Sequence, residues 1–277
     1  MNSTQSSRVA TFRQLHESGC FVLPNPWDRG TARYLAGIGF KALATTSAGF
    51  AFSRGLPDSV NAIGVDQMVD HVRDIVESTS LPVNADFQNG YADDPDSVAR
   101  NVKRCIETGV AGLSIEDATG NREKPLYDDV LAVDRIKAAR EAIDGSQTSV
   151  VLTARCEAWL VGDPSPQKTA VDRLVAFADA GADCLYAPGV REANDIAIIV
   201  RAVAPKPVNV LVSRPGLTVS QLADLGVRRI SVGSALSRVA WGAFIRAAHE
   251  IADTGTFEAF GDAAAGVDLN EFFDRLT

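Results

Sequence analysis

The sequence predicts a (β/α)8 barrel, on three observations. Eight short apolar runs alternate with eight helical stretches along 277 residues. The step from helix to strand repeats one glycine signature. No GxGxxG turn marks the open, doubly wound sheet that is the runner-up architecture.

Taken in order, CFVLP (20–24) precedes a helix near 28–37, and FKALATTS (40–47) one near 65–77. PVNADF (82–87) leads to 95–108, and GLSIED (112–117) to 131–143. SVVLTAR (149–155) leads to 166–180, and CLYAP (184–188) to 192–203. PVNVLV (207–212) leads to 218–225, and RRISVG (228–233) to 235–253. The strand runs are short and apolar, as in a parallel sheet buried on both faces. Gly37-Ile38-Gly39, Gly109, Gly181 and Gly226 stand just past four helices, where a left-handed residue is wanted. Pro82 and Pro207 open strands, where proline is tolerated. In the tail, DLNEFFDRL sets Leu269, Phe272, Phe273 and Leu276 at helical spacing. Unless that face packs on its own barrel, it implies a second subunit. One barrel domain over 1–277 is expected, with 235–277 as C-terminal helix and tail.

Composition narrows the function. At 46% hydrophobic residues the chain has material for a core. No apolar run approaches the ~20 residues that span a bilayer, and the polar N-terminus has no signal-peptide apolar region. A cytoplasmic protein is expected, with no membrane partner. A net charge of −8 and a pI near 5.0 argue against a nucleic-acid partner. Arg228-Arg229 is the densest basic spot, and two residues do not make a patch. Cys20, Cys105, Cys156 and Cys184 show no CxxC pairing, and His16, His71 and His249 fall on predicted helices. Zinc and histidine catalysis are therefore not expected.

In a barrel, chemistry sits at the C-terminal ends of the strands. That rim would carry Asn25 and Asp28, Thr45 to Gly49, Asp86 and Gln88, Glu116 and Asp117, Arg155, Pro188, Asn209, and Gly233 with Ser234. Asp86 and Glu116 suit Mg2+ or Mn2+, which prefer carboxylate and water ligands. Helix capping, or an interior ion pair with Arg155, is the alternative for both. Asp58, in the turn after strand 2, could reach the same ion through water, or be only a turn residue. Arg155 suits a substrate carboxylate, with a bridge to Glu116 or Glu157 as the alternative. Thr45-Thr46-Ser47-Ala48-Gly49 can offer hydroxyls and backbone N–H groups to an anion. Asn209 interrupts an apolar strand, for a ligand contact or a core hydrogen bond. SVGSALSR could form a phosphate turn, but it lacks a lysine. The connections 48–64 and 118–130 are long enough to act as lids.

With these residues in place, the chain resembles the isocitrate lyase/phosphoenolpyruvate mutase superfamily from about Phe21 to Trp241. The resemblance rests on LPNPWD, TTSAG with GLPD, VNADFQNGY, GLSIEDATG, LTAR, NVL with a following PG, and LGVRRISVG. It implies an α/β barrel, a homotetramer that exchanges C-terminal helices, and Mg2+ bound directly by Asp86. Asp58 and Glu116 would act on the ion through water. Thr46, Ser47 and Ala48 would line the α-oxo acid site, and Arg155 and Asn209 would hold carboxylates. The implied chemistry makes or breaks a bond beside a metal-stabilised enolate. Gln88 stands where relatives usually carry a second acid; it can still accept from a metal-bound water. Relatives that cleave isocitrate or methylisocitrate carry a Lys-Cys-Gly-His loop after the fourth strand. Here that loop reads ATGNREKPLYDD. Pro188 stands where those lyases tend to carry glutamate. The expected function is a Mg2+-dependent C–C lyase on a small α-oxo or 2-hydroxy carboxylic acid, oxaloacetate-like or isocitrate-like. Solvent would protonate the enolate. P–C bond chemistry, as a phosphonomutase or phosphonopyruvate hydrolase, is the alternative within the superfamily; Asn121 and Lys124 in the loop bear on it. A carboxylate-binding barrel without turnover is the alternative from another class.

Overall fold

In the computed structural model, which describes residues 3–60 and 62–276, eight parallel strands form the barrel. They are β1 (Phe21–Leu23), β2 (Leu43–Ala44), β3 (Val83–Asp86), β4 (Gly112–Glu116), β5 (Val151–Arg155), β6 (Cys184–Tyr186), β7 (Val208–Leu211) and β8 (Arg229–Ser231). The helices are α1 (Ser3–Glu17), α2 (Arg29–Gly37), α3 (Ser47–Ser53), α4 (Val65–Glu77), α5 (Pro95–Ile106) and α6 (Asp129–Ser146). Then come α7 (Ala158–Val161), α8 (Pro166–Asp179), α9 (Ala193–Val203), α10 (Val219–Asp224), α11 (Ala235–Thr254) and α12 (Gly266–Asp274).

The ladder runs β1-β8-β7-β6-β5-β4-β3-β2. At the seam between β1 and β2, Ala44 N–H donates to the Pro24 carbonyl at 3.0 Å. Asn25 reinforces the join. Its Nδ2 donates to the Thr45 carbonyl at 2.8 Å, and its Oδ1 accepts from Val232 and Gly233 N–H at 3.0 and 2.9 Å. A small barrel closes its sheet and so leaves no free edge.

The glycine signature after the helices is real. Gly39, Gly109, Gly181 and Gly226 have φ of +98°, +91°, +99° and +88°, where a side chain would be strained.

Strand burial corrects one sequence expectation. Apart from β1, whose inward Phe21 and Leu23 are apolar, the strands are apolar mainly on one face. Val83, Ala85, Leu113, Ile115, Leu152, Ala154, Leu185, Val208, Val210 and Ile230 are buried in the apolar core. The alternate positions point into the barrel and are largely polar: Asn84, Ser114, Thr153, Asn209, Arg229 and Ser231, all buried.

Three elements lie outside the eight expected units. α1 closes the N-terminal mouth of the barrel. Its Phe12 is fully buried against Phe21, Gln5 donates to the Ile106 and Val110 carbonyls, and Arg13 pairs with Asp183 just before β6. α3 occupies the first half of connection 48–64 and buries Gly49, Phe50 and Ala51, so that half is no open lid. α7 is a single turn after β5.

The tail helix takes the own-barrel packing that was the alternative to a subunit contact. Within the single chain, α12 packs on α2. Phe272 stacks near Tyr34, with ring centroids 4.4 Å apart, and would meet a Cβ built on Gly37 at 2.5 Å. That close approach requires the glycine. α11 remains exposed along Val239, Phe244 and Ile245.

Candidate active site

The site follows from the strand register. Glu116 of β4 pairs with Arg155 of β5, Arg155 with Tyr186 of β6, Tyr186 with Asn209 of β7, and Asn209 with Arg229 of β8. Neighbours in register in a parallel sheet share a face, so acid, guanidinium, phenol, amide and guanidinium form one row around the interior. Above it opens a cavity of about 230 Å³ at the C-terminal mouth.

Arg155 is the centre of the site. Its Nη1 lies 2.7 Å from Asp86 Oδ1, its Nη2 3.0 Å from Glu116 Oε2, and its Nε 2.8 Å from Glu157 Oε1. The guanidinium also sits over the Tyr186 ring, 5.1 Å from its centroid. The bridge to Glu116 and Glu157 raised at the sequence level is therefore present, and it coexists with exposure to the cavity. Asp86 is held on its other side by α3: Oδ2 accepts from Ser47 N–H at 2.8 Å and from Ser47 Oγ at 2.9 Å. Asp86 N–H donates to Thr45 Oγ1 at 2.9 Å. Thr46 Oγ1 caps α3 by accepting from Gly49 N–H at 3.1 Å. The hydroxyls of Thr45 to Ser47 thus orient the acid and the helix start.

Of the expected residues, Thr46, Ser47, Ala48, Asp58, Asp86, Arg155 and Asn209 line the cavity. Glu116 and Gln88 stand behind its wall. Asp117 belongs to a separate clamp, accepting from Glu157 N–H at 2.8 Å and from Arg173 Nη1 at 2.9 Å. In the loop, Lys124 pairs with Asp128 and Asn121 Oδ1 accepts from Glu123 N–H, both at the surface. Neither lines the cavity.

Sequence reasoning missed the interior polar row of Asn84, Ser114, Thr153 and Arg229. For the first three the signal was there: VNAD, LSIE and LTAR place a polar residue at every second position. Arg238, one turn into α11, also lines the cavity, and no local motif in the sequence points to it.

The charges do not balance. Four carboxylates, those of Asp58, Asp86, Glu116 and Glu157, surround one guanidinium. Burial raises Glu116 well above the usual carboxyl value; Arg155 lowers it, while Glu157, Asp86 and Asp117 raise it further. Burial, and then the charge of Asp86, raise Asp58. Gln88 holds φ at +42°, and its buried Oε1 has no partner. Surplus acid and an orphaned oxygen acceptor fit a hard divalent cation. Among the described residues no three His, Cys, Asp or Glu side chains form a ready cluster.

The family model for phosphoenolpyruvate phosphomutase matches residues 12–252. The chain belongs to this family. A crystal structure from Burkholderia cenocepacia J2315, provisionally described as a lyase/mutase, is 48% identical, with a TM-score of 0.93 over 98% of this chain and 97% of that one. The structure of oxaloacetate acetylhydrolase with its product oxalate is 29% identical, with a TM-score of 0.86 over 98% and 96%. The 2-methylisocitrate lyase of Halalkalibacterium halodurans is 26% identical over 92% of this chain and 86% of its own. The fold and the lyase/mutase class of the family accord with the resemblance read from the motifs. No helix among the described residues is long and apolar enough to cross a membrane.

Proposed function

We propose that this chain is a divalent-cation-dependent lyase, with Mg2+ favoured and Mn2+ able to replace it. It would cleave a C–C bond in a small α-oxo or 2-hydroxy carboxylic acid, oxaloacetate-like or isocitrate-like. One observation carries the reading: the Arg155 guanidinium is held at the cavity wall by three carboxylates, with Asp86 and Asp58 facing the same space. Asp86 would hold the cation directly, with Asp58, Glu116 and Gln88 behind bound water. When bound, the cation supplies a Lewis acid for the oxo and carboxylate oxygens of the acid. Arg155 has its planar fork fixed by Glu116 and Glu157, and presents N–H donors to a substrate carboxylate. Asn209 offers an amide two strands further round the same row.

For an oxaloacetate-like substrate, the bond between the methylene carbon and the terminal carboxylate breaks. Its electron pair stays on the methylene carbon as an enolate, carbon dioxide leaves, and a solvent proton completes pyruvate. Segment 118–130 contains no cysteine or histidine to supply that proton. The names of the relatives support the class: one acts on oxaloacetate, another is a 2-methylisocitrate lyase. The reading includes a cytoplasmic protein acting on a free metabolite, and a homotetramer, the latter supported by the apolar stripe left open on α11.

The test is an NMR product scan with Mg2+ over oxaloacetate, isocitrate, 2-methylisocitrate and phosphonopyruvate, with Asp86→Ala in parallel. A C–C cleavage product that disappears in Asp86→Ala supports the reading. Turnover of phosphonopyruvate alone would replace it with P–C chemistry. Oxalate or pyruvate binding with no product from any acid would replace it with a non-catalytic binder.

A further inference from the structure

Arg229 is a buried cation that the chemistry above does not use. It stands inside the barrel on β8, 2% exposed, and its hydrogen-bond partners are all neutral. Nε donates to Asn209 Oδ1 at 2.9 Å, Nη2 donates to Thr153 Oγ1 at 3.0 Å, and Nη1 lies 3.3 Å from His16 Nε2. Burying a charge without a counter-charge is costly, so a carboxylate partner would be the expected arrangement. Among the described residues no ion pair supplies one.

Each partner's role can be assigned. His16 Nδ1 is 2.7 Å from the Phe12 carbonyl, which can only accept, so Nδ1 carries the proton. Burial, and then the Arg229 charge, depress His16 to about 3, so the ring is neutral and Nε2 accepts from Arg229. Arg229 can only donate, so the Asn209 atom it meets is the amide oxygen. The Asn209 amide is thereby oriented. Its Nδ2 donates one hydrogen to Ser231 Oγ at 3.0 Å and has a second hydrogen to give. Asn209, Arg229 and Ser231 all line the cavity. β7 and β8 lie four strands from β3 and β4 in the ladder, across the barrel from Asp86 and Glu116.

We propose that Arg229 is a positioning residue: it locks the Asn209 amide with Nδ2 toward the cavity and sets uncompensated positive charge beneath it. The two residues then form a second carboxylate-holding pole on β7 and β8, two strands from Arg155 and across the barrel from Asp86 and Glu116. The substrate class is thereby an acid with two carboxylates, one held by Arg155 and the other by Asn209 above Arg229. His16 of α1 holds Arg229 from below, which gives the N-terminal helix a part in substrate binding. This inference rests on the function proposed above.

The test measures oxalate affinity by calorimetry with Mg2+, and kcat and KM on whichever acid is turned over, in Arg229→Met, Asn209→Ala and the double variant. Loss of a charge-assisted hydrogen bond predicts a ~10–100-fold weaker oxalate Kd and a matching rise in KM for Arg229→Met, with kcat changing less. Acting through Asn209, Arg229→Met should add little once Asn209 is alanine, whereas independent structural damage would add in full. Arg228→Met, at the exposed neighbour, should match the wild type. If Arg229→Met fails to fold, Arg229→Lys keeps the charge but cannot reproduce the fork to Asn209 and Thr153; its KM should still rise. Wild-type oxalate affinity in either Arg229 variant, or full additivity in the double variant, overturns the proposal. A wild type that binds oxalate but turns over no acid removes the proposed function, while the affinity series still judges Arg229.

Discussion

Arg155 holds three carboxylates together, so its loss should be felt in stability before activity is considered. Arg155→Met leaves Asp86, Glu116 and Glu157 facing one another in a poorly solvated wall. Breaking a buried ion pair by removing one partner costs about 3–5 kcal/mol, expected as a lower urea midpoint with an unchanged m-value. Saturating Mg2+ should raise the melting temperature of the wild type, and EDTA should reverse that gain, because a ligand of the folded state stabilises by mass action. The Asp86→Ala variant should show no Mg2+ response.

Acid sensitivity is a second prediction at this scale. Burial lowers His71 to about 4 and His16 to about 3, below the ordinary 6.5. Above pH 6.5 both histidines are neutral whether the chain is folded or not, and neither affects stability. Below it the unfolded chain takes up protons that the folded chain refuses. Each histidine then removes up to about 1.4 kcal/mol per pH unit, until its folded value is reached. Glu116, Asp117 and Glu157 are raised and act in the opposite sense, so the measurement is a difference. His71→Gln should lose less stability than the wild type between pH 6.5 and 4 in parallel denaturant titrations. At residue scale, Asp86, Glu116 and Arg155 were legible because each ends an apolar strand. Arg229 was not: in RRIS only the strand register decides which arginine enters the barrel. Arg228 instead lies at the surface, donating to the Gly19 carbonyl at 3.2 Å.

Among the elements, α1 carries the clearest structural prediction. Phe12 is fully buried where α1 meets the strand starts, and a Cβ built on Gly112 would lie 2.6 Å from its ring. Phe12→Ala should cost about 3–5 kcal/mol in denaturant unfolding, since the site cannot collapse onto a rigid barrel floor. Gly112→Ala should also destabilise, by about 1–3 kcal/mol, because the added methyl also meets Asn84 Oδ1 at 2.7 Å. The eight strands and their principal helices were legible from apolar runs punctuated by glycine. α1 offers only a few apolar positions in a polar stretch, and α3 spans seven residues, too few to show a helical period.

For the whole molecule, the exposed face of α11 sets the expectation. Val239 and Phe244 are 71% and 61% exposed, and Trp241 and Phe244 flank a groove shared with Trp27. A contiguous apolar stripe of this kind suits a second copy of the chain. Light scattering on the wild type should give a tetramer, and Phe244→Asp should give a smaller species that keeps its circular dichroism. A monomeric wild type would remove that expectation.

The sequence by itself determined the barrel, the order of its units and the acids and arginine at three strand ends, because all of these are local patterns. Strand period, glycine punctuation and chain position can be read without knowing what packs against what. The tertiary structure decided the rest. It made Arg155 the shared partner of three carboxylates and turned Arg229 inward to Asn209. It placed α1 beneath the barrel and laid α12 on its own α2. Those arrangements join residues more than two hundred positions apart, and only register, closure and burial bring such residues together.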